Sequence, residues 1–179
     1  MCNHKTLDLC DKLIRDDEYR NRYDRIQDAE QNRIYCRHDM EHFLNVARLA
    51  YIDSIEQQLH IDKELIYLCA LLHDMGRADE YEQGISHHEA SVAYAGEILL
   101  RLGTDKSTIQ AVCAAISHHG KRINLQEIDQ DEKQWNTTTD KQLAILIARA
   151  DQMSRNCYIC NQKDSCKWNE NEKNTNIKR

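Results

Sequence analysis

Proline is absent from this chain, and glycine occurs only five times in 179 residues. Turn-rich β architectures depend on both residues, because their tight reversals need a fixed or a positive φ. Their scarcity disfavours such architectures and points to helices joined by polar turns, an all-α fold. The length suits one domain of ~100–200 residues, with room for short appendages, and is enough to bury a core. Charged residues reach 30%, so that core should be wrapped in a heavily charged surface. The formal net charge of −6 argues against general nucleic-acid binding, which needs surplus cations. It leaves room for a local basic pocket. No apolar run approaches the ~20 residues of a membrane span, and no secretory leader opens the chain. The expected location is cytoplasmic, with no membrane partner.

Periodicity places the helices. Residues 5–32 read as one or two polar helices. Residues 38–60 carry an apolar stripe of Phe43, Leu44, Val46, Ala47, Ala50, Tyr51 and Ile55. Asp62 is the expected N-cap of a helix holding Leu65, Ile66, Leu68, Ala70, Leu71 and Leu72. That segment is apolar nearly all round, so it should be the central helix, stopped by Gly76 in a left-handed C-cap. Ser86 with Glu89 reads as a capping box opening a helix to Gly103. Thr104 or Asp105 should cap the next, through Ile109, Val112 and Ile116 to Gly120. Residues 121–138 read as a polar loop with a helical turn. Thr139 or Asp140 should open the last core helix, Leu143 to Ala150. From about residue 167 the Asn-, Glu- and Lys-rich sequence reads as a loose tail. The expected division is an N-terminal helical segment packing on the core (1–35), a core domain (36–155), and a cysteine-containing segment with the tail (156–179).

Nine histidines are present, and their placement carries more information than their number. His42 lies on the apolar stripe of its helix. His73 and Asp74 end the most hydrophobic helix. His87 and His88 open the next, His118 and His119 end the one after, and Asp151 follows the apolar run Leu143–Ala150. Each therefore stands where a core helix meets one end of the bundle. Singly, each has an ordinary explanation as a hydrogen-bonded core histidine, a turn residue or a surface ion pair. Together they would be five unconnected accidents. A buried carboxylate is costly unless paired or bound to metal. Imidazole and carboxylate donors suit a first-row divalent ion such as iron, manganese or zinc. The set exceeds one tetrahedral zinc and fits two metals, with one carboxylate bridging.

The stretches His42-Phe-Leu-Asn-Val46-Ala47, Leu71-Leu-His73-Asp74-Met-Gly76-Arg77, His88-Glu-Ala-Ser91, Ala115-Ile116-Ser-His118-His119 and Ala150-Asp151 resemble the HD-domain metal-dependent phosphohydrolases. The resemblance spans about residues 36–155 and implies an HD-domain helical bundle. The ordered set H…HD…H…H…D is similar to the dinuclear branch. The compact size is most similar to the YqeK-like proteins, which hydrolyse diadenosine tetraphosphate symmetrically. Mononuclear relatives that cut phosphate from nucleoside monophosphates lack the two middle histidines.

Carried over by position, the resemblance implies His42, His73, Asp74, His88, His119 and Asp151 as ligands of two divalent ions, iron, manganese or similar. His118 is the alternative to His119, which the family's spacing from Ile116 favours. Asp74 is implied as the bridging, catalytic carboxylate. His87 and His38 are less favoured ligands. His38 lies four residues before His42, on the same helix face, and is expected to support it from behind. Phosphoryl transfer needs positive charge around the equatorial oxygens, for which Arg77, Lys121, Arg122 and Arg155 are the candidates. Asp79 and Glu80 are candidates to protonate the leaving group. The implied activity is hydrolysis of a nucleotide-like phosphate ester or anhydride, a dinucleoside polyphosphate among them. The alternatives are a catalytically silent domain sensing a nucleotide or metal, and a mixed-valent di-iron oxygenase. The expected partner is a small phosphorylated molecule, and a homodimer stays open.

Eight cysteines complete the inventory. Without a secretory leader a disulfide framework is not expected, and Cys69 and Cys113 sit in apolar runs as buried thiols. Cys157-x-x-Cys160-x5-Cys166 differs: a CxxC pair with a third cysteine nearby suits thiolate metal binding. A fourth ligand would have to come from elsewhere, and Cys36 is the candidate. Structural zinc is the first reading. The others are a chance cluster of reduced thiols, a redox pair and an iron–sulfur cluster.

Overall fold

The computed structural model describes residues 6–119 and 137–177. Their regular structure is wholly helical: α1 (Asp8–Arg15), α2 (Asp17–Ala29), α3 (Met40–Glu56), α4 (Lys63–Leu72), α5 (Arg77–Gln83), α6 (His87–Arg101), α7 (Lys106–His118), α8 (Thr138–Met153) and a 3₁₀ turn (Cys157–Ile159). This is the all-α architecture expected. Helix α4 packs against α1, α3, α7 and α8, and Ile66, Leu68, Cys69, Ala70, Leu71 and Leu72 are all buried. A helix apolar on every side needs neighbours on every side. The core continues through Phe43 and Val46 of α3, Ile98 of α6, Ile116 of α7 and Leu146 of α8.

The N-terminal pair joins the same core. Leu13, Tyr19 and Ile26 are buried in it, and the Tyr19 hydroxyl donates to the Leu71 carbonyl at 3.0 Å. Glu64, in the first turn of α4, accepts from the Leu9 and Cys10 N–H groups at 2.6 and 3.3 Å. A carboxylate of one helix thus takes up orphan donors near the start of another.

Helix starts mostly follow the expected chemistry. Asp62 and Asp105 cap α4 and α7 through side-chain bonds to Glu64 N and Thr108 N. Three expectations need correction. Ser86 precedes α6 but makes no side-chain cap bond, so the capping box with Glu89 is not formed. Helix α8 is capped by Thr137, whose hydroxyl accepts from the Asp140 N–H at 3.1 Å, rather than by Thr139 or Asp140. Gly76 is right-handed, at φ −70° and ψ −8°, so it is not a left-handed stop.

The reason for glycine at 76 is contact. A Cβ there would lie 2.2 Å from the His87 carbonyl oxygen and 2.4 Å from the Ser91 nitrogen. Bare backbone lets the turn after α4 touch the first turn of α6, and Ser91 Oγ accepts from Gly76 N at 2.8 Å. This contact sets the His73–Asp74 pair beside His87 and His88.

The chain beyond α8 also departs from expectation. Residues 167–177 are not a loose tail. The Asn174 side-chain amide donates to the carbonyls of Gln152, Met153 and Arg155 at 2.8, 3.2 and 2.9 Å. Carbonyls at a helix C-terminus lack intrahelical partners, and Asn174 supplies one. Lys173 is buried, and the Arg155 guanidinium stacks 4.1 Å above the Trp168 ring. The polar composition that reads as solvated is spent on capping and stacking. No helix among the described residues is long and apolar enough to cross a membrane.

Candidate metal centre

Asp74 is the geometric centre of the site. It lies just past the C-cap of α4, 2% exposed, and its two oxygens face different partners. Oδ2 lies 3.2 Å from His73 Nε2, 3.7 Å from His42 Nε2 and 3.6 Å from His38 Nε2. Oδ1 lies 3.4 Å from His119 Nε2 and 3.8 Å from His87 Nε2. Asp151, from α8, stands with the first group, 3.6 Å from His42 Nε2 and 4.0 Å from His73 Nε2.

Two sets of donors result. The donor atoms of His42, His73, Asp74 and Asp151 lie within 4.8 Å of one another, as do those of His87, His88 and His119. All six residues named from sequence are in these sets. The structure adds His87, which the sequence placed behind His88. His118 is in neither set: its Nδ1 donates to the Ala114 carbonyl at 2.9 Å, one turn back on its own helix. His38 stays outside the gathered sets but reaches Asp74 directly instead of only supporting His42.

The ring tautomers follow from the outer partners. His73 Nδ1–H donates to the Ala70 carbonyl at 2.7 Å and His119 Nδ1–H to the Ile116 carbonyl at 2.6 Å. His87 Nδ1–H donates to Glu80 Oε1 at 2.9 Å. Ser154 Oγ spends its proton on the Asp151 carbonyl at 2.7 Å. It therefore accepts from His42 Nδ1–H at 3.2 Å. His38 Nδ1–H donates to Glu30 Oε1. Five rings thus hold their N–H outward and turn an Nε2 lone pair toward one carboxylate.

Lone pairs facing a carboxylate repel it, and a cation between them removes the conflict. The outer bonds fix each ligand's orientation in the manner of a metal site. His88 Nδ1 adds a buried ring nitrogen with no hydrogen-bond partner among the described residues. Burial, with His119 and His87 close by, pulls the His88 pKa down to about 4, which keeps the ring neutral and able to ligate. The donor set fits divalent ions of the nitrogen- and oxygen-preferring kind.

One residue that supports the site has no signal in the histidine pattern. Glu30, 1% exposed, accepts from the backbone N–H of His38 at 2.8 Å and from the Tyr81 hydroxyl as well as from the ring. Burial raises its pKa, yet the bonds from His38 and Tyr81 outweigh that and hold it at about 2. Only the fold reveals that the end of α2 supports the site.

Burial also pushes the Asp74 carboxyl upward. The Arg77 guanidinium beside it outweighs that and holds it well below the usual carboxylate range. The Arg77 Nε donates to Asp74 Oδ1 at 3.1 Å and its Nη1 to Glu80 Oε2 at 2.6 Å. Glu80 thereby ties Arg77 and His87 together. Asp79 faces away and pairs with Arg22, so it is not placed to protonate a leaving group. Lys121 and Arg122 lie outside the described residues.

A cavity of about 380 Å³ opens onto Asp74, His42 and Asp151, with Arg37, Arg77 and Arg155 on its walls. That volume is within the usual range for small-molecule pockets. A larger cavity of about 490 Å³ on the neighbouring face shares only Asn45, Ser154 and Asn156 with it. It includes neither Asp74 nor any histidine; the chemistry is in the smaller one.

Comparisons with known proteins bear on the family and the fold. A family model described as HD domain matches residues 39–156. A protein of Clostridium beijerinckii, described only as uncharacterized, is 33% identical over 171 residues, 96% of this chain and 99% of its own length. A crystal structure described as a predicted HD superfamily hydrolase, from an uncultured Thermotogales bacterium, superposes with a TM-score of 0.55. It is 21% identical and the match covers 92% of this chain and 86% of that one. At that identity the likeness speaks for the fold.

Proposed function

The chain belongs to the HD domain family, and on that premise we propose that it is a phosphohydrolase using two divalent ions and acting on a nucleotide-like phosphate ester or anhydride. The observation that carries this reading is the division of Asp74, one oxygen toward His42 and His73 and the other toward His87 and His119. A carboxylate so placed can hold two ions side by side. Such a pair activates water near neutral pH and offsets charge on a phosphoryl oxygen.

The chain's own residues supply the rest. Ser154, Ala70, Ile116 and Glu80 keep the imidazoles in the ligating tautomer. Arg77, locked between Asp74 and Glu80, keeps a guanidinium on the cavity wall where phosphoryl oxygens gather charge. Arg37, Arg155 and Lys167 extend the positive lining, a local basic pocket in an acidic protein. Trp168 and Tyr35 line the same mouth, and an aromatic surface beside cations suits a nucleobase next to its phosphates. Asp151, which meets the cavity, would complete the donor set of His42, His73 and Asp74. The ligand set argues against a silent sensor, since none of the six ligand positions is lost.

The test is a phosphate-release screen with Mn²⁺- or Fe²⁺-loaded protein, run with and without oxygen. Nucleoside polyphosphates, dinucleoside polyphosphates and simple phosphomonoesters are the substrates. Release that disappears in Asp74→Asn is the expected result. Oxygen consumption without phosphate release would move the chain to the oxygenase reading. Neither reaction from metal-loaded protein would favour the silent domain.

A further inference from the structure

We propose that Cys36, Cys157, Cys160 and Cys166 bind one zinc-class ion through four thiolates, separate from the His/Asp centre, and that this ion fixes the C-terminal segment as the outer wall of the catalytic cavity. All four cysteines lie outside residues 39–156 matched by the family model. Two distant parts of the chain bring them together. Cys36 precedes α3 and the other three follow α8, yet all four line one small cavity with Tyr35, Trp168 and two lysines. The Tyr35 hydroxyl donates to the Ser165 carbonyl at 3.2 Å, which holds the two segments in register. All four thiols are free.

The surroundings suit thiolates. The Gln162 backbone N–H donates to Cys160 Sγ at 3.4 Å, a bond that strengthens as sulfur gains charge. A four-thiolate zinc centre carries a net charge of about −2. Lys163 and Lys173 line the same cavity. The sulfurs are gathered less tightly than the two His/Asp sets, whose donors lie within 4.8 Å. Closing on an ion with ~2.3 Å bonds requires this short irregular segment to draw in.

Polar contacts hold the chain on either side of the cysteines, the Asn174 cap and the Arg155 stack on Trp168 among them, but apolar packing adds little. Tyr158 and Ile159 are 44% and 73% exposed, so apolar burial contributes little. Yet Ile159, Cys160, Lys167 and Trp168 line the cavity that opens onto Asp74 and His42. Cys36 and Cys160 line both cavities. A bound ion would therefore order the wall against which a substrate rests, without touching the reacting atoms. The inference does not depend on which reaction the His/Asp centre performs.

Cobalt substitution of the reduced, full-length protein separates the two kinds of site. Thiolate ligation produces sulfur-to-cobalt charge transfer in the near ultraviolet and intense tetrahedral bands in the visible, whereas nitrogen and oxygen ligation lacks the former. We expect the charge-transfer band to saturate at about one cobalt per chain, in keeping with one four-sulfur site. Cys36→Ser and Cys160→Ser should each abolish or shift it. Cys36→Ser should also open residues 157–170 to limited proteolysis. Absence of the band in the wild-type protein overturns the proposal, and that result needs no variant to fold. A band unaltered in Cys36→Ser overturns the assignment of the distant ligand.

Discussion

His119 Nε2, at the end of α7, lies 3.4 Å from Oδ1 of Asp74, on the opposite oxygen from that faced by the adjacent His73. Helices α4 and α7 thus meet across one carboxylate. If that carboxylate bridges, His119→Ala should remove about one of two ions while Asp74→Asn weakens both, since the set exceeds one tetrahedral site. His118→Ala should keep both, because its ring nitrogens belong to neither gathered donor set. Elemental analysis of each variant, in a background lacking Cys36 and Cys160, checks this.

Gly76→Ala tests how the doublet is positioned. The new methyl would sit 2.2 Å from the His87 carbonyl oxygen, a backbone atom that cannot swing aside. Overpacking of this kind costs ~1–3 kcal/mol. The variant should melt at a lower temperature and bind metal more weakly at the His87 side. A wild-type melting temperature and wild-type affinity would show that the α4–α6 contact is not needed.

Acid should destabilise the metal-free protein in two windows. His88 has its pKa lowered from 6.5 to about 4, chiefly by burial. Its contribution is complete above pH 6.5 and is lost as pH falls through 4, because the unfolded chain then binds more protons. Glu30 has its pKa lowered from 4.5 to about 2, so its contribution is complete above pH 4.5 and is lost as pH falls through 2. Denaturant titrations from pH 7 to below pH 2 should show both losses. In Glu30→Gln the loss in the lower window should be smaller, the depressed Asp74 carboxyl keeping part of it, and the upper window should persist; loss of the upper window in that variant would contradict the assignment.

Arg77→Met keeps the stem and removes the guanidinium. Without it Asp74 loses a close countercharge, and phosphoryl oxygens lose a donor on the cavity wall. We expect kcat/KM to fall by roughly tenfold to a hundredfold, the range of one charged hydrogen bond of ~1.5–3 kcal/mol. Metal content should stay near that of the wild type. Unchanged kinetics would remove Arg77 from substrate handling.

Much of this site is legible in sequence because each ligand sits at a helix end whose apolar periodicity is strong. His73 and Asp74 close the most buried helix, so their location follows from the run Leu65–Leu72. That His87 joins His88 in one donor set is not legible there. Both fall in the first turn of α6, and only the outward bond of His87 to Glu80 shows which way its ring turns. Glu30 is invisible for a related reason: its role depends on α2 packing against α5, a long-range contact that local pattern does not encode. Asn174 illustrates the converse. Its polar neighbourhood reads as solvated, but one amide reaching three carbonyls anchors the tail. The misread stop at Gly76 arose because glycine serves close approach there, not a positive φ.

The most direct test of the central claim is inorganic phosphate release by metal-loaded wild-type protein beside Asp74→Asn, under single-turnover conditions with a panel of nucleotide phosphates. The account predicts phosphate release by the wild type from at least one member of the panel. It also predicts that release falls to the uncatalysed level in Asp74→Asn, while the variant's helical circular-dichroism spectrum is preserved. Wild-type rates from the folded Asp74→Asn protein would contradict it.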